Sequence, residues 1–97
     1  MEFRKGILFI RLKGDLNKDT IKGIIDKDFK YVVLNIDDMY SIDSYSIKYL
    51  NKIYRLYENN NNKFIICDKF NVSRKLLRDI PKINREYDAF ELFERMT

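Results

Sequence analysis

The apolar positions of this chain fall into two kinds of block. Ile7–Ile10, Tyr31–Leu34 and Phe64–Cys67 are continuous apolar runs of four residues, each bounded by glycine, polar or charged residues. Short runs of this kind, rich in β-branched and aromatic residues, predict strands covered on both faces rather than strands with one wet face. The first extends as Ile7–Lys13 and ends at Gly14-Asp15, and Glu2–Lys5 is placed to pair with it across Gly6. The second, Tyr31–Ile36, reads as a central strand, with Asp37–Ile42 as the loop that follows it.

The other blocks have helical spacing. Ile47, Leu50, Tyr54 and Tyr57 recur at intervals of three, four and three, which describes one face of a helix from Ser44 to Glu58 with Ser44 as N-cap. Asn59–Asn62 tolerates the left-handed backbone that ends helices, so it reads as a cap and turn. Asn17 is placed to cap an earlier helix that carries Ile21, Ile24, Ile25 and Phe29 and stops near Asp28, with Leu16 packed on Ile21. Asn71 or Ser73 opens a short helix that turns Val72, Leu76, Leu77 and Ile80 inward and ends at Pro81, and Asp88 caps a last helix, Ala89–Met96. The predicted order is β-β-α-β-α-β-α-(short β)-α: an α/β domain with a mixed, mostly parallel sheet of four to five strands and about four helices.

Length and composition narrow the function. A chain of 97 residues allows one domain, 1–97, with a modest core and little room for an enclosed active site. It contains no histidine and one cysteine, Cys67, which removes histidine-based catalysis, multi-cysteine zinc sites and internal disulfides. The apolar runs fall far short of the ~20 residues that cross a bilayer, and Met1–Leu12 is too short in apolar residues for a secretory signal, so a cytoplasmic protein is expected. The net charge of +4 is unevenly spread. Lys69–Arg85 holds six basic residues against Asp79, while Asp37, Asp38 and Asp43 crowd one segment.

In open α/β sheets ligands and partners collect at the carboxyl ends of the strands. Here those positions are Gly14, Asp15 and Asn17, then Asp37, Asp38 and Ile42-Asp43-Ser44, then Asp68. A serine at a helix N-terminus lies beside unsatisfied N–H groups that favour negative charge, so Ser44 is a candidate phosphoacceptor as well as a cap.

Three segments at matching intervals, Ile10–Asn17, Val33–Met39 and Ile42-Asp43-Ser44, resemble the anti-sigma-factor antagonists, small single STAS domains of bacterial sporulation and stress signalling. The resemblance continues through Phe64–Cys67, Val72–Leu77 and Asp88–Phe93. It implies a STAS-like fold, no enzymatic activity and no cofactor, with Ser44 phosphorylated by a partner anti-sigma factor, a serine kinase of the GHKL type. The unphosphorylated form would bind that kinase and free its sigma factor, and a metal-dependent serine phosphatase would reset the phosphorylated form. The partner-binding residues so implied are Asp15, Asn17, Asp38, Tyr40, Asp43, Tyr45, Ser46, Lys48 and Tyr49. The chain departs from the family's pattern where Tyr45-Ser46 replaces Ser/Thr-Gly and where Asn17 replaces an aspartate. These departures leave open a STAS interaction module that is never phosphorylated.

Two further readings compete. Asp37, Asp38 and Asp43 supply carboxylates for a magnesium-dependent aspartyl-phosphate site. Lys69–Arg85 supplies charge for a nucleic acid or an acidic partner, although only Phe70 among its residues offers a base-stacking ring, and nucleic acid is the less expected. Tyr40, Tyr45 and Tyr49 form a candidate aromatic interface patch. Cys67, within an apolar strand, is expected to be an unreactive buried residue.

Overall fold

The computed structural model describes residues 1–21 and 29–96. Its apolar runs line up as a five-stranded sheet in chain order: β1 (Glu2–Arg4), β2 (Ile7–Leu16), β3 (Tyr31–Ile42), β4 (Lys63–Cys67) and β5 (Lys82–Ile83). β1 pairs antiparallel with β2, and every other neighbouring pair is parallel. The β1–β2 connection is tight because Lys5 and Gly6 both take the left-handed backbone, at φ 50° and 81°, as a two-residue turn requires. The assigned helices are α1 (Lys18–Ile21), α2 (Ser44–Asn59) and α3 (Asp88–Met96).

The runs are unbroken because both faces of the sheet are covered. Leu8, Ile10, Val32, Leu34, Phe64 and Ile66 meet Ile21 of α1 and Leu50 and Tyr57 of α2 in one core. The residues between them, Ile7, Phe9, Val33, Ile65 and Cys67, meet Ala89 and Phe93 of α3 in the other. Ile47 and Tyr54 pack partly buried beside Leu50 and Tyr57, completing the predicted face of α2. That helix ends with Asn60 as C-cap and Asn61 at φ 59°, the role expected of the asparagine run. Cys67 is fully buried, and burial pushes its thiol up to about 12, which keeps it protonated and unreactive.

Four boundaries differ from the sequence expectation. β2 does not stop at Gly14-Asp15 but runs on to Leu16, and Asp37–Ile42 is strand rather than loop. The two strands stay paired because β3 accommodates an extra residue twice, once between the Arg11–Asn35 and Lys13–Asp38 partners and once between Gly14–Met39 and Asp15–Ser41. Gly14, at φ 74°, sits at the second of these bulges. The segment read as a helix from Val72 to Ile80 is a series of turns. It buries Leu77 and Ile80 but leaves Val72 and Leu76 exposed, because Asp68 captures the backbone N–H of Val72 and Ser73 and the Ser73 hydroxyl, bending the chain back at the strand end. α3 begins with Asp88 itself, whose carboxylate reaches back to the Arg85 amide at 3.3 Å. The continuation of the first helix to Asp28, with Ile24 and Ile25, lies outside the described residues; Phe29 packs partly buried on the core it was expected to join.

A polar clasp ties the β1–β2–β3 side of the sheet to the segment ahead of α3. Arg11 donates two hydrogen bonds to the Glu86 carboxylate, at 2.8 and 2.7 Å, and one to Glu2 at 2.9 Å, while Asn35 donates to Glu86 at 2.7 Å. The Arg11 hydrogen bonds hold the Glu86 carboxyl below its ordinary range, against the opposing effect of burial. A depressed carboxyl stabilises the fold above its unfolded pKa and ceases to do so as pH falls through the folded value. The wild type is therefore expected to lose stability from about pH 5 downward, and Glu86→Gln to show a flatter pH profile in that window by denaturant titration. Gly14 has open space where a Cβ would lie, so Gly14→Ala meets only backbone strain. The expected cost is about 1–2 kcal/mol, measured by urea unfolding, with no change in the spectrum of the core residues.

Candidate functional site

The extended β2–β3 pair delivers three segments to one end of the sheet. Asp15 and Ser41 are register partners, and the Ser41 hydroxyl donates to the Asp15 carboxylate at 2.7 Å. The Asp43 amide donates to the Leu16 carbonyl at 3.0 Å, so the chain enters α2 while still held by β2. Asn17 caps α1, as expected: its side chain accepts from the amides of Asp19 and Thr20 at 3.0 and 3.2 Å, and Thr20 Oγ1 accepts from the Asn17 amide at 2.9 Å.

The N-cap of α2 is Asp43, not Ser44. Asp43 has the extended backbone of a cap, φ −87° and ψ 171°, and its carboxylate accepts the Ser46 amide at 2.8 Å. That bond is the main reason its carboxyl is held below the usual range. Ser44 becomes the first residue of the helix and is exposed. Its hydroxyl is thereby released from the capping role that the sequence assigned to it. Ser46, expected among the partner-facing residues, is instead 0% exposed. Its hydroxyl lies near the Asp43 carboxylate without a well-formed hydrogen bond.

The other expected contact residues divide by exposure. Tyr40 is 87% exposed at the second bulge, and Asp38 and Lys48 are exposed. Tyr45 is half-exposed and stacks on Tyr49 with ring centroids 6.5 Å apart, while Tyr49 also packs against the core. The three tyrosines are therefore not one continuous patch of free rings.

The structure does not gather the carboxylates of the magnesium reading into one cluster. Among the described residues no group of three or more carboxylate, cysteine or histidine side chains is close enough to hold a metal ion. Asp37 accepts the Lys69 amide at 2.8 Å and Asp43 is spent on its helix. Asp68, placed by its position among the ligand-end residues, is 4% exposed and consumed by the 72–73 turn. The basic stretch also shrinks. Lys82 donates its ammonium to the carbonyls of Leu77 and Ile80, and Arg85 pairs with Asp88 at 3.1 Å. Lys69, Arg74, Lys75 and Arg78 remain exposed.

Sequence reasoning missed Ser41, Thr20 and a shallow groove of about 280 Å³ between Met39–Ile42 and Val72/Leu76. The Asn17–Thr20 spacing is a readable capping signal. Nothing in the sequence marked Ser41 or the groove, since both depend on β3 outlasting β4.

No protein-family model matches the chain, and no curated protein matches it. Among solved structures, the anti-sigma factor antagonist SpoIIAA in its unphosphorylated form superposes with a TM-score of 0.71 at 16% identity, covering 99% of this chain and 94% of that one. The fold is a STAS fold. The described residues include no helix long and apolar enough to cross a membrane. At 16% identity the likeness speaks for architecture, so the chemistry of the α2 end rests on the residues present.

The Asp43 cap is the joint of this end of the fold. Asp43→Ala is expected to lower the melting temperature and to speed amide exchange at Ser46 several-fold, whereas Asp43→Asn keeps an acceptor and most of the protection. A depressed carboxyl loses its contribution at acid pH, so the difference between wild type and Asp43→Ala should narrow below the ordinary carboxylate range.

Proposed function

We propose that this protein is an anti-sigma-factor antagonist, controlled by phosphorylation at Ser44. It binds an anti-sigma serine kinase of the GHKL type through the Asp15–Asn17 segment, the Asp38–Asp43 end of β3 and the first turns of α2, and so frees a sigma factor. The observation that carries the reading is the exposure of Ser44 as the first residue of α2, directly after its capping aspartate, in a fold shared with SpoIIAA. Buried Ser46 is not a competing acceptor.

The switch follows from charge. A phosphate adds about −1.5 to −2 units at a helix N-terminus, which steadies it locally. The same charge follows directly on the Asp43 carboxylate, at the point where α2 is held to the end of β2, so an interface that accommodated that carboxylate would have to desolvate one more anion. A metal-dependent serine phosphatase would remove it. ATP and its metal belong to the kinase, and the domain itself needs no cofactor.

The Tyr45–Tyr49 stack beside Ser44 favours a second reading, a STAS interaction module that binds its partner without being phosphorylated. Incubation with the anti-sigma kinases of the same organism and Mg-ATP, followed by mass spectrometry, separates the two. Phosphate is expected on Ser44 and absent from Ser44→Ala, with kinase binding retained by Ser44→Ala and lost by Ser44→Asp. Phosphate on Tyr45 or Ser46 refutes the assigned residue, and partner binding with no phosphate on any residue supports the module.

A further inference from the structure

β4 leaves the sheet at Cys67, opposite Asn35, while β3 continues for seven more residues paired only with β2. On its β4 side, the end of β3 from Met39 to Ile42 therefore has no neighbouring strand among the described residues. An open strand edge carries backbone donors and acceptors able to pair with another chain. The turns after β4 face this edge across the groove lined by Met39, Tyr40, Ser41, Ile42, Val72 and Leu76. Val72 and Leu76 are 52% and 44% exposed, although the sequence pattern marks them for a core. The same turn segment carries Lys69, Arg74, Lys75 and Arg78, all exposed, with Asp79 as its exposed acid.

An open edge, an apolar groove beside it and exposed cations on the turn segment that forms its far wall together define the occupant. We infer that this groove binds an extended, acidic peptide segment of a partner protein, which adds as a strand beside β3. Alternate side chains of such a segment face the groove and meet Val72, Leu76 and Met39, while its carboxylates meet Arg74 and Lys75. The edge supplies backbone hydrogen bonds, the groove selects apolar residues at alternate positions, and the cations of the turn segment select negative charge. Nucleic acid fits less well, because Lys82 is tied to two backbone carbonyls, Arg85 is paired with Asp88, and the groove itself is mostly apolar. The groove shares the Met39–Ile42 end of β3 with the partner surface proposed above but does not include Ser44, so the inference does not depend on phosphorylation of Ser44.

The probe is a soluble decapeptide alternating glutamate and valine, titrated into isotopically labelled full chain and followed by backbone NMR. Shifts are expected at Met39–Ile42 and Val72–Leu76, weakening as salt is raised. Affinity should fall about tenfold with Arg74→Glu/Lys75→Glu, at exposed positions, with an unchanged spectrum of the core residues showing that the fold is kept. Replacing glutamate by lysine in the peptide, or methylating alternate backbone nitrogens, should abolish binding, while Ser44→Ala should bind as the wild type does. The proposal is overturned if the peptide shifts no residue of the groove, if the methylated peptide binds equally well, if single-stranded DNA takes the same residues in preference to the peptide, or if a second copy of the chain occupies them. The titration contains neither kinase nor ATP, so its failure leaves the phosphorylation reading standing.

Discussion

The pairing of β2 with β3 beyond the reach of β4 is the constraint on which this end of the protein depends. Parallel strands keep their register only if the extra residues of one are absorbed, and β3 absorbs two of them as bulges. The second bulge turns Tyr40 into solvent, and the pairing persists through Asp15–Ser41 and Leu16–Ile42. Because the Asp43 amide is bonded to the Leu16 carbonyl, α2 starts from a point held by two strands and not from a loose loop. The positions of Asp43 and Ser44 are consequences of that attachment.

Charge is used differently on the two faces of the sheet. On the α3 face, Glu86 gathers Arg11 and Asn35 into a clasp, where each group satisfies another and little charge is left for an outside ligand. At the carboxyl ends of the strands, several polar groups are spent on backbone: Asp37 on Lys69, Asp43 on Ser46, Asp68 on the turn and Lys82 on two carbonyls. Asp15, Asp38, Asp43 and Ser44 remain exposed on β2, β3 and the start of α2, and Lys69, Arg74, Lys75 and Arg78 on the turns after β4. Charges so distributed constrain a partner's orientation more than they add affinity.

The STAS architecture explains how so small a domain presents this surface. With both faces of the sheet covered, one by α1 and α2 and the other by α3, the broad faces are committed to core packing. Binding chemistry is then left to the strand ends and the first turns of the helices. Ser46 illustrates the commitment: its amide completes the cap and its side chain is enclosed, although it lies two residues from an exposed serine.

The sequence by itself determined the strand cores, the long helix and the order of elements, because continuous apolar runs and a three-four spacing have few ways to be buried. It also marked the Asn17 cap, the asparagine-rich helix end and the inert Cys67, each a local property of a few neighbouring residues. Only the tertiary structure decided where β2 and β3 end, since Lys13–Leu16 and Asp37–Ile42 are polar or mixed and become strand only by pairing with each other. It likewise decided that Asp43 rather than Ser44 caps α2, because both are good caps and the choice follows from where β3 lets go of the chain. Val72 and Leu76 have the spacing of a buried helical face, yet Asp68 bends that segment into turns before a helix can form. Such outcomes are competitions between distant hydrogen bonds, and a local pattern does not record which of them wins.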